Sequence, residues 1–337
     1  MSCKVQIQPS GHQFTVEPNE SVLDAALRQG FALPYGCRNG ACGACTGKVL
    51  SGTIHYGENE PMALTEEEQA AGKALFCIAH AEGDLTIKVK EVGAERDIPV
   101  RQLPAKIQRM TRLNDEVMEL CVTIPEGDRL QYLAGQYVDF VLKDGRHRAF
   151  SIANAPHDDR CLTFHIRRIR GGHFTDKLFS EMHEKDVLRI EGPKGSFYMR
   201  EESDRPIVFL ATGTGFGPIK AIIEHAIAEG HIVPMYLYWG ARHKADLYLH
   251  KLAEQWAAEY ENIHYIPVLS RPAPEDAWSG RTGYVQEAAA ADFADFSGME
   301  VYACGHPQMV FAAKNALVAK GLDPNHCYSD AFSWAKD

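Results

Sequence analysis

Residues 34–45, PYGCRNGACGAC, set Cys37, Cys42 and Cys45 at C-x4-C-x2-C spacing with Gly36, Gly40 and Gly43 among them, and a further thiol, Cys77, follows in ALFCIAH. This is the spacing by which four thiolates hold two irons and two sulfides in a plant-type [2Fe–2S] centre. The chemistry accounts for the small residues. Thiolates must converge on metal while backbone N–H groups turn inward to the sulfides, and Gly40, Ala41, Gly43 and Ala44 let the backbone approach closely. A structural zinc site and a set of buried free thiols are the competing readings. Zinc sites usually join one close cysteine pair to a second, and only one close pair exists here, so the distant Cys77 fits zinc poorly. The other cysteines, Cys3, Cys121, Cys161, Cys304 and Cys327, are scattered and read as small buried hydrophobes.

The totals set bounds on what surrounds that loop. A chain of 337 residues has room for two or three domains, each with its own core. No apolar run is long enough to span a bilayer and the first residues, MSCKVQIQPS, lack the apolar centre of a secretory signal. A cytoplasmic protein is therefore expected, with reduced cluster thiols and no disulfides. The formal net charge of −10 argues against nucleic acid or anionic membrane as partners. It is compatible with docking on a basic protein face, although an acidic balance also serves solubility alone.

Short elements must position the cysteine loop. Residues 4–8 and 12–16 alternate about Pro9-Ser10-Gly11 and predict a hairpin. Residues 21–29 predict a helix with Ser21 as N-cap and Gly30 as stop, residues 48–50 a strand, and Thr65 with Glu68 a capping box opening a second helix. A last strand is expected over residues 84–89. The acidic Glu66-Glu67-Glu68 suits the positive end of that second helix. Four short strands around one helix, with this cysteine loop, resemble the α+β β-grasp ferredoxin fold, which places a ferredoxin domain at residues 1–93. The charged, proline-bearing stretch that follows reads as a linker over 94–103.

Residues 104–202 consist of regularly spaced short strands with one helical segment at 174–183, the pattern of a small antiparallel β-barrel. Within it, Arg148-Ala149-Phe150-Ser151 resembles the R-x-Y-S motif of the ferredoxin–NADP reductase family, whose barrel holds FAD. The resemblance implies that Arg148 neutralises the pyrophosphate, that the ring of Phe150 lies along the flavin, and that Ser151 reaches its redox-active nitrogen. Phe150 stands where the family usually has Tyr, so the ring contact is kept and one hydroxyl is lost. His165-Ile166-Arg167 matches the strand beside the flavin's ribityl and adenosine parts, and Gly171-Gly172-His173-Phe174-Thr175 the helix start that meets the pyrophosphate. A glycine pair before a helix start does offer N–H donors and a positive dipole end to a phosphate.

From residue 203 to 337 the period changes to alternating buried strands and helices, which predicts an α/β domain with a parallel sheet. An apolar run at 206–211 is followed by Thr212-Gly213-Thr214-Gly215-Phe216-Gly217-Pro218 and a helix at 219–229, a strand–glycine turn–helix unit suited to a nucleotide. It resembles the GTGxxP turn that faces the nicotinamide cofactor's pyrophosphate in the same family. Cys304-Gly305-His306-Pro307-Gln308-Met309 resembles the family's CGxxxM motif, whose thiol lies against the nicotinamide. Asp330-Ala331-Phe332 corresponds to the segment that brings an acid and an aromatic ring to the flavin, with Phe332 as that ring and Trp334 as its neighbour. Arg242, Ser270 and Arg271 are candidates for gripping a 2′-phosphate, whereas Asp246 and the Y-W-G-x-R pattern occur in enzymes that use NADH, and the balance favours NADH.

These parts are identified as an iron–sulfur flavoprotein reductase of the ferredoxin–NADP reductase type, similar to bacterial oxygenase reductase components and to CDP-6-deoxy-3,4-glucoseen reductases. A nicotinamide gives up two electrons as hydride and a [2Fe–2S] cluster accepts one, so FAD must stand between them. The resemblance implies an electron-transfer enzyme passing electrons from NAD(P)H through FAD and the cluster to a partner oxygenase or dehydratase, acting as a monomer. Ser151, Cys304 and Phe332 would sit at the reacting atoms, and Cys37, Cys42, Cys45 and Cys77 would hold the iron. A stand-alone flavin or ferric reductase and a redox-sensing regulator are the alternatives.

Overall fold

The computed structural model describes residues 2–31, 33–89, 91, 98–126, 128–158 and 160–332. Packing divides the chain into two compact units, one made of residues 1–98 with 195–197 and 329–333, the other of the remainder. Residues 94–97 of the expected linker and Trp334 lie outside the described residues.

The first unit is built on a sheet of order β2-β1-β7-β3-β5. Strands Cys3–Gln8 (β1) and Gln13–Val16 (β2) form the expected hairpin, and β1 runs parallel to Leu85–Lys88 (β7). Thr46–Ser51 (β3) lies antiparallel to β7 and to Lys73–Leu75 (β5). Helix Val22–Arg28 (α1) begins where the sequence predicts, because the Ser21 side chain accepts from the Asp24 amide at 3.1 Å. Its apolar face, Val22, Leu23, Ala25 and Ala26, is fully buried. Ile54–His55 (β4) pairs with His80–Ala81 (β6). Glu66–Ala70 (α2) opens with the reciprocal Thr65–Glu68 capping box. The sheet thus has five strands and a small second ribbon, more than the four strands the pattern suggested.

The second unit opens with Arg101–Arg112 (β8), so residues 101–103, expected in the linker, already belong to a strand. Val117–Thr123 (β9), Tyr137–Val141 (β10), His147–Ser151 (β11), Leu162–Arg167 (β12) and Val187–Lys194 (β13) complete a six-stranded sheet of order β11-β10-β13-β8-β9-β12. An isolated bridge, Ile152 to Phe164, joins the chain just past β11 to β12 and closes this sheet into a barrel. Its core holds Leu120, Val138, Phe140, Ile152, Phe164 and Ile190. The helix expected over 174–183 is shorter, Thr175–Ser180 (α3).

The disulfide-free expectation is overturned for one pair: Cys121 and Cys161 are bonded to each other, with Cα atoms 5.7 Å apart. Antiparallel pairing of β9 with β12 brings them together, since Thr163, two residues past Cys161, stands opposite Cys121.

Ile207–Thr212 (β14), Phe216–Ala228 (α4), Met235–Ala241 (β15), His250–Glu259 (α5), Ile263–Leu269 (β16), Arg281–Thr282 (β17), Val285–Asp292 (α6), Glu300–Gly305 (β18), Pro307–Val318 (α7) and Cys327–Ala331 (β19) follow, with sheet order β17-β16-β15-β14-β18-β19. The pairs from β17 through β18 are parallel. Helix α4 starts at Phe216 and not at 219, because Pro218 falls in the first turn, where a missing N–H costs nothing. The order reverses beside β14, which leaves a crevice at the carboxyl ends of β14 and β18. Among the described residues no helix is long and apolar enough to cross a membrane.

Candidate functional site

The loop between α1 and β3 gathers the predicted iron ligands. The amide of Cys42 donates to Cys37 Sγ at 3.2 Å, that of Cys37 to Cys42 Sγ at 3.4 Å, and that of Ala44 to Cys42 Sγ at 3.4 Å. Amides aimed at sulfur are what a thiolate set of this kind requires. Cys42, Cys45 and Cys77 are buried, and Cys77 is carried into place just after β5, anchored by the Phe76 amide on the Cys45 carbonyl at 3.2 Å. Gly40 has φ +80°, and a Cβ there would stand 2.8 Å from Ile78 Cδ1 and 3.1 Å from the Glu60 carbonyl. Arg38 takes φ +60° to turn the loop, and its guanidinium is held by Asp24 of α1.

The electrostatics of the thiols fit a cation between them. The hydrogen bond from Cys42, helped by backbone amides, draws Cys37 down to about 6. Cys42 is pushed well above the ordinary thiol range by its bond to Cys37 and then by burial, and Cys45 likewise by Cys77 and then by burial. Four converging thiolates repel one another in a buried site, so protons stay on some of them until metal displaces those protons. The donor set and its inward amides suit a [2Fe–2S] cluster.

Sequence reasoning placed residues 330–332 at the flavin and missed their neighbours in the first unit. Ser329 Oγ donates to the Cys42 carbonyl at 2.9 Å. A Cβ on Gly36 would meet Cys42 Sγ at 3.1 Å, the Ser329 carbonyl at 3.1 Å and Asp330 Oδ1 at 3.2 Å. Asp330 is buried, and burial followed by the Cys37 charge pushes its carboxyl up to about 7. Ser196 serves the loop in the same way, its amide and hydroxyl donating to the Tyr35 carbonyl at 2.8 and 2.7 Å. No local pattern marks Ser196 or Ser329 as partners of a loop 161 and 287 residues away. Phe332 is half-buried.

In the barrel, β11 presents the predicted flavin motif in register with β10, Arg148 opposite Phe140, Phe150 opposite Val138 and Ser151 opposite Tyr137. Phe150 is half-buried, its ring 5.0 Å from Phe140 and 5.4 Å from Phe174. Arg148 Nη1 donates to the His147 carbonyl at 3.1 Å. Phe174 and Ile166 are buried in the barrel core. Arg167 is exposed and paired to Glu116 at 2.7 Å. His165 is fully buried, its Nδ1 3.1 Å from the Tyr248 hydroxyl. Desolvation, then the Lys220 charge, lowers its imidazole to about 3, so it is neutral and forms no ion pair with Glu119 at 3.8 Å. Tyr248, which no motif pointed to, packs edge-on against His165 and Trp239.

The Gly171-Gly172 turn is tight at its second glycine: a Cβ on Gly172 would fall 2.8 Å from Thr175 Oγ1 and 2.9 Å from the Ile169 carbonyl. Thr175 Oγ1 accepts from the Ile169 amide at 3.0 Å, and His173 lies exposed 3.8 Å from Asp144. At the start of α3 the Asp176 amide donates to the Gly172 carbonyl at 3.0 Å and the Leu178 amide to the Phe174 carbonyl at 2.9 Å, so the cation of Arg148 is the donor here that suits a pyrophosphate. A nearby group of Asp139, His147 and Glu191 could in principle bind a cation. The Lys194 ammonium fills it, 2.7 Å from Asp139 and 2.5 Å from Glu191.

At the carboxyl ends of β14 and β18, Gly213, Thr214 and Gly215 form a single 3-10 turn. A Cβ on Gly215 would lie 2.2 Å from the Cys304 carbonyl, and one on Gly305, φ +140°, 2.1 Å from Thr212 Oγ1. These contacts bring the two predicted motifs to one place. Cys304 is fully buried at the end of β18. Phe216 stacks on Trp239 at 3.8 Å, and Trp239 Nε1 donates to the Gly213 carbonyl at 3.3 Å, fixing the turn from behind. The ends of β15 and β16 bring Arg242, Ser270 and Arg271 together: Ser270 N donates to the Ala241 carbonyl at 2.9 Å and Arg271 N to that of Arg242 at 3.2 Å.

Three family models match the chain in this order: a 2Fe-2S iron-sulfur cluster binding domain over residues 5–82, an oxidoreductase FAD-binding domain over 104–198 and an oxidoreductase NAD-binding domain over 209–315. The CDP-6-deoxy-L-threo-D-glycero-4-hexulose-3-dehydrase reductase of Yersinia pestis is 37% identical over 332 residues, 98% of this chain and 99% of that protein. The chain belongs to the iron–sulfur flavoprotein reductases. The phenol 2-monooxygenase reductase component DmpP of Pseudomonas sp. (strain CF600) is 33% identical, covering 100% of this chain and 96% of its own length. The crystal structure of the Amycolatopsis cytochrome P450 reductase GcoB superposes with a TM-score of 0.78 at 30% identity, covering 99% of this chain and 100% of that one.

As a member of this family, the reductase is an NAD(P)H-dependent oxidoreductase with a [2Fe–2S] cluster and FAD. When bound, the flavin links a two-electron donor to a one-electron carrier.

Proposed function

We propose that this reductase takes electrons from NADH in the cytoplasm, acts as a monomer, and delivers them singly from its [2Fe–2S] cluster to a partner protein, a terminal oxygenase or a sugar dehydratase. The observation that carries this reading is the end-to-end similarity to a dehydrase reductase and to oxygenase reductase components, with all three cofactor regions in the same order.

Within this reading, Cys37, Cys42, Cys45 and Cys77 hold the iron. Arg148 and the segment Gly172-His173-Phe174-Thr175 hold the flavin pyrophosphate, while Phe150 and Ser151 face the ring system. His165, Ile166, Arg167 and Phe174 shape the barrel wall on which the cofactor lies. Gly213, Thr214 and Gly215 admit the nicotinamide cofactor's phosphates, and Cys304 with Gly305 positions its ring. Phe332 is the aromatic ring assigned to the flavin.

The preference for NADH rests on charge. Around Arg242, His243 and Lys244, Asp276 accepts from the Lys244 amide at 2.9 Å and stands 3.3 Å from His243. Backbone amides of Ala273 and Lys244 lower the Asp276 carboxyl, so it stays charged, and Asp246 accepts from the His243 amide at 3.1 Å. Two carboxylates among the bases work against a 2′-phosphate and suit a free ribose hydroxyl. Steady-state ferricyanide reduction with each cofactor tests this: a much lower KM for NADH is expected, and a lower KM for NADPH reverses the assignment. For the acceptor, cytochrome c reduction that disappears when the cluster is removed is expected. Absence of turnover with every one-electron acceptor would point to a sensor.

A further inference from the structure

We propose that Lys220 is a positioning residue for the hydride step: its ammonium ties helix α4, which opens on the nicotinamide turn, to the Ala153 carbonyl just past the flavin motif, and so sets how those two motifs stand to each other. The inference rests on the assignment of Gly213-Thr214-Gly215 to the nicotinamide cofactor and of Arg148–Ser151 to FAD, and not on the acceptor. The step it serves moves a hydride, one proton with two electrons, from a nicotinamide carbon to a flavin nitrogen: a C–H bond breaks on the donor as an N–H bond forms on the acceptor. Its rate depends on the alignment of the reacting atoms.

Lys220 lies in the second turn of α4, and its side chain is only 12% exposed. Its Nζ donates to the Ala153 carbonyl at 3.0 Å and to Glu224 Oε2 at 2.8 Å. Ala153 is fully buried, two residues beyond Ser151, and its own amide donates to the Thr163 carbonyl of β12 at 2.7 Å. One ammonium therefore joins the continuation of the flavin strand to the helix that carries the nicotinamide turn. Burial raises the Glu224 carboxyl, and the charge of Lys220 works against that rise. A lysine early in a nucleotide-binding helix also suits a phosphate, but this ammonium already holds two acceptors.

Barrel and nucleotide domain meet at further points, and these define what Lys220 adds. A Cβ on Gly217 would stand 3.4 Å from Ala153 Cβ and 3.4 Å from His165 Nδ1, so the first turn of α4 lies close against the barrel. The Tyr248 hydroxyl meets His165 from the segment before α5, and Asn114 Nδ2 donates to the Ala245 carbonyl at 3.2 Å, both away from α4. Helix α4 is fixed within its own domain by Ile219, Ile222 and Ile223, all fully buried, so it moves together with the nicotinamide turn. Removing the ammonium leaves a buried carbonyl and a largely enclosed carboxylate without their cation, and both then require water. A cavity of about 420 Å3, lined by Asn154, Thr163, Lys220 and Glu224 among others, supplies the path. The bonds at Tyr248 and Asn114 keep the domains together and act as a hinge, while the side at α4 widens. A shift of this kind is small, yet hydride transfer is sensitive to displacements of an ångström or less.

The test is anaerobic rapid mixing of the full-length holoprotein with NADH. In Lys220→Met, flavin reduction at saturating NADH should slow roughly tenfold to a hundredfold, with the NADH concentration at half-maximal rate little changed and flavin and iron contents as in wild type. Lys220→Arg should recover most of the rate, since the cavity has room for the longer side chain and a guanidinium still donates to both acceptors. Lys220→Met/Glu224→Gln removes the cation without stranding a carboxylate. It should be as slow as Lys220→Met, and it supplies the comparison if the single variant fails to fold. Apart from turnover, amide hydrogen exchange at residues 152–155 of the resting holoprotein should be faster in both Met variants and near wild type in Lys220→Arg. An unchanged limiting rate in Lys220→Met, an equal loss in Lys220→Arg, or exchange that ignores the substitutions would overturn the inference. So would a raised half-maximal concentration with the limiting rate intact, which would make Lys220 a ligand to the nucleotide. Wild-type flavin that NADH leaves oxidised would refute the donor reading itself, a result distinct from wild type and variants being reduced alike.

Discussion

The hydroxyl of Ser329 donates a 2.9 Å hydrogen bond to the backbone carbonyl of Cys42, a link between residues 287 positions apart. Both partners are buried. Ser329→Ala would leave a buried carbonyl at an iron ligand without this donor, a cost of about 1–2 kcal/mol. Iron release to a chelator should be several-fold faster than in wild type, with NADH–ferricyanide turnover of freshly prepared protein little changed. An unchanged release rate would mean that the bond does not support the cysteine loop.

Gly40 holds a positive φ of +80° with Ile78 and Glu60 against the place a Cβ would take. Gly40→Ala combines a backbone penalty with a close contact, together about 1–3 kcal/mol. The purified variant should carry less iron, measured by chemical assay and visible absorption, and keep its flavin. Full iron occupancy would contradict the assignment of this turn.

His165 is buried neutral, with its imidazole lowered to about 3. The unfolded chain takes up this proton near the ordinary histidine value of about 6.5, while the folded chain does not. A lowered folded value for histidine therefore makes stability rise with pH, with the contribution lost progressively as pH falls from about 6.5 towards 3. At pH 5 the loss is about 2 kcal/mol relative to neutral pH. His165→Gln should lower stability near neutral pH, by disturbing the bond to Tyr248, yet flatten the slope between pH 7 and 5 in urea titrations. An equally steep slope would show that His165 is not the titrating group.

Gly215 is pressed against Cys304, since any Cβ would overlap the Cys304 carbonyl at 2.2 Å. Gly215→Ala must separate the two nicotinamide motifs. Turnover with NADH should fall at least tenfold, about 1.4 kcal/mol or more in kcat/KM, while flavin and iron contents stay at wild-type levels. Normal turnover would remove these motifs from the site.

Local chemistry was legible in the sequence. The cysteine spacing is fixed by the metal geometry it serves, and the caps at Ser21 and Thr65 act over three residues, so a short window contains the whole signal. Alternation of strands and helices after residue 203 likewise announced the parallel sheet. What escaped depends on distant parts of the chain. Ser196 and Ser329 meet the cysteine loop only after folding, Tyr248 meets His165 across 83 positions, and Cys121 meets Cys161 through strand pairing. The expected reducing environment argued against that last pair, and strand register decided otherwise. Residues 101–103 read as linker because charge and proline masked a strand whose buried Leu103 and Ala105 alternate with exposed neighbours.

The most direct measurement is anaerobic addition of NADH to protein loaded with iron and FAD, set beside protein that keeps its iron but has lost its FAD. Bleaching of the cluster's visible absorption, with the appearance of its reduced-state paramagnetic signal, is predicted only when FAD is present. Reduction of the cluster at the same rate without FAD, or no reduction in the fully loaded protein, would contradict the route from nicotinamide through flavin to iron.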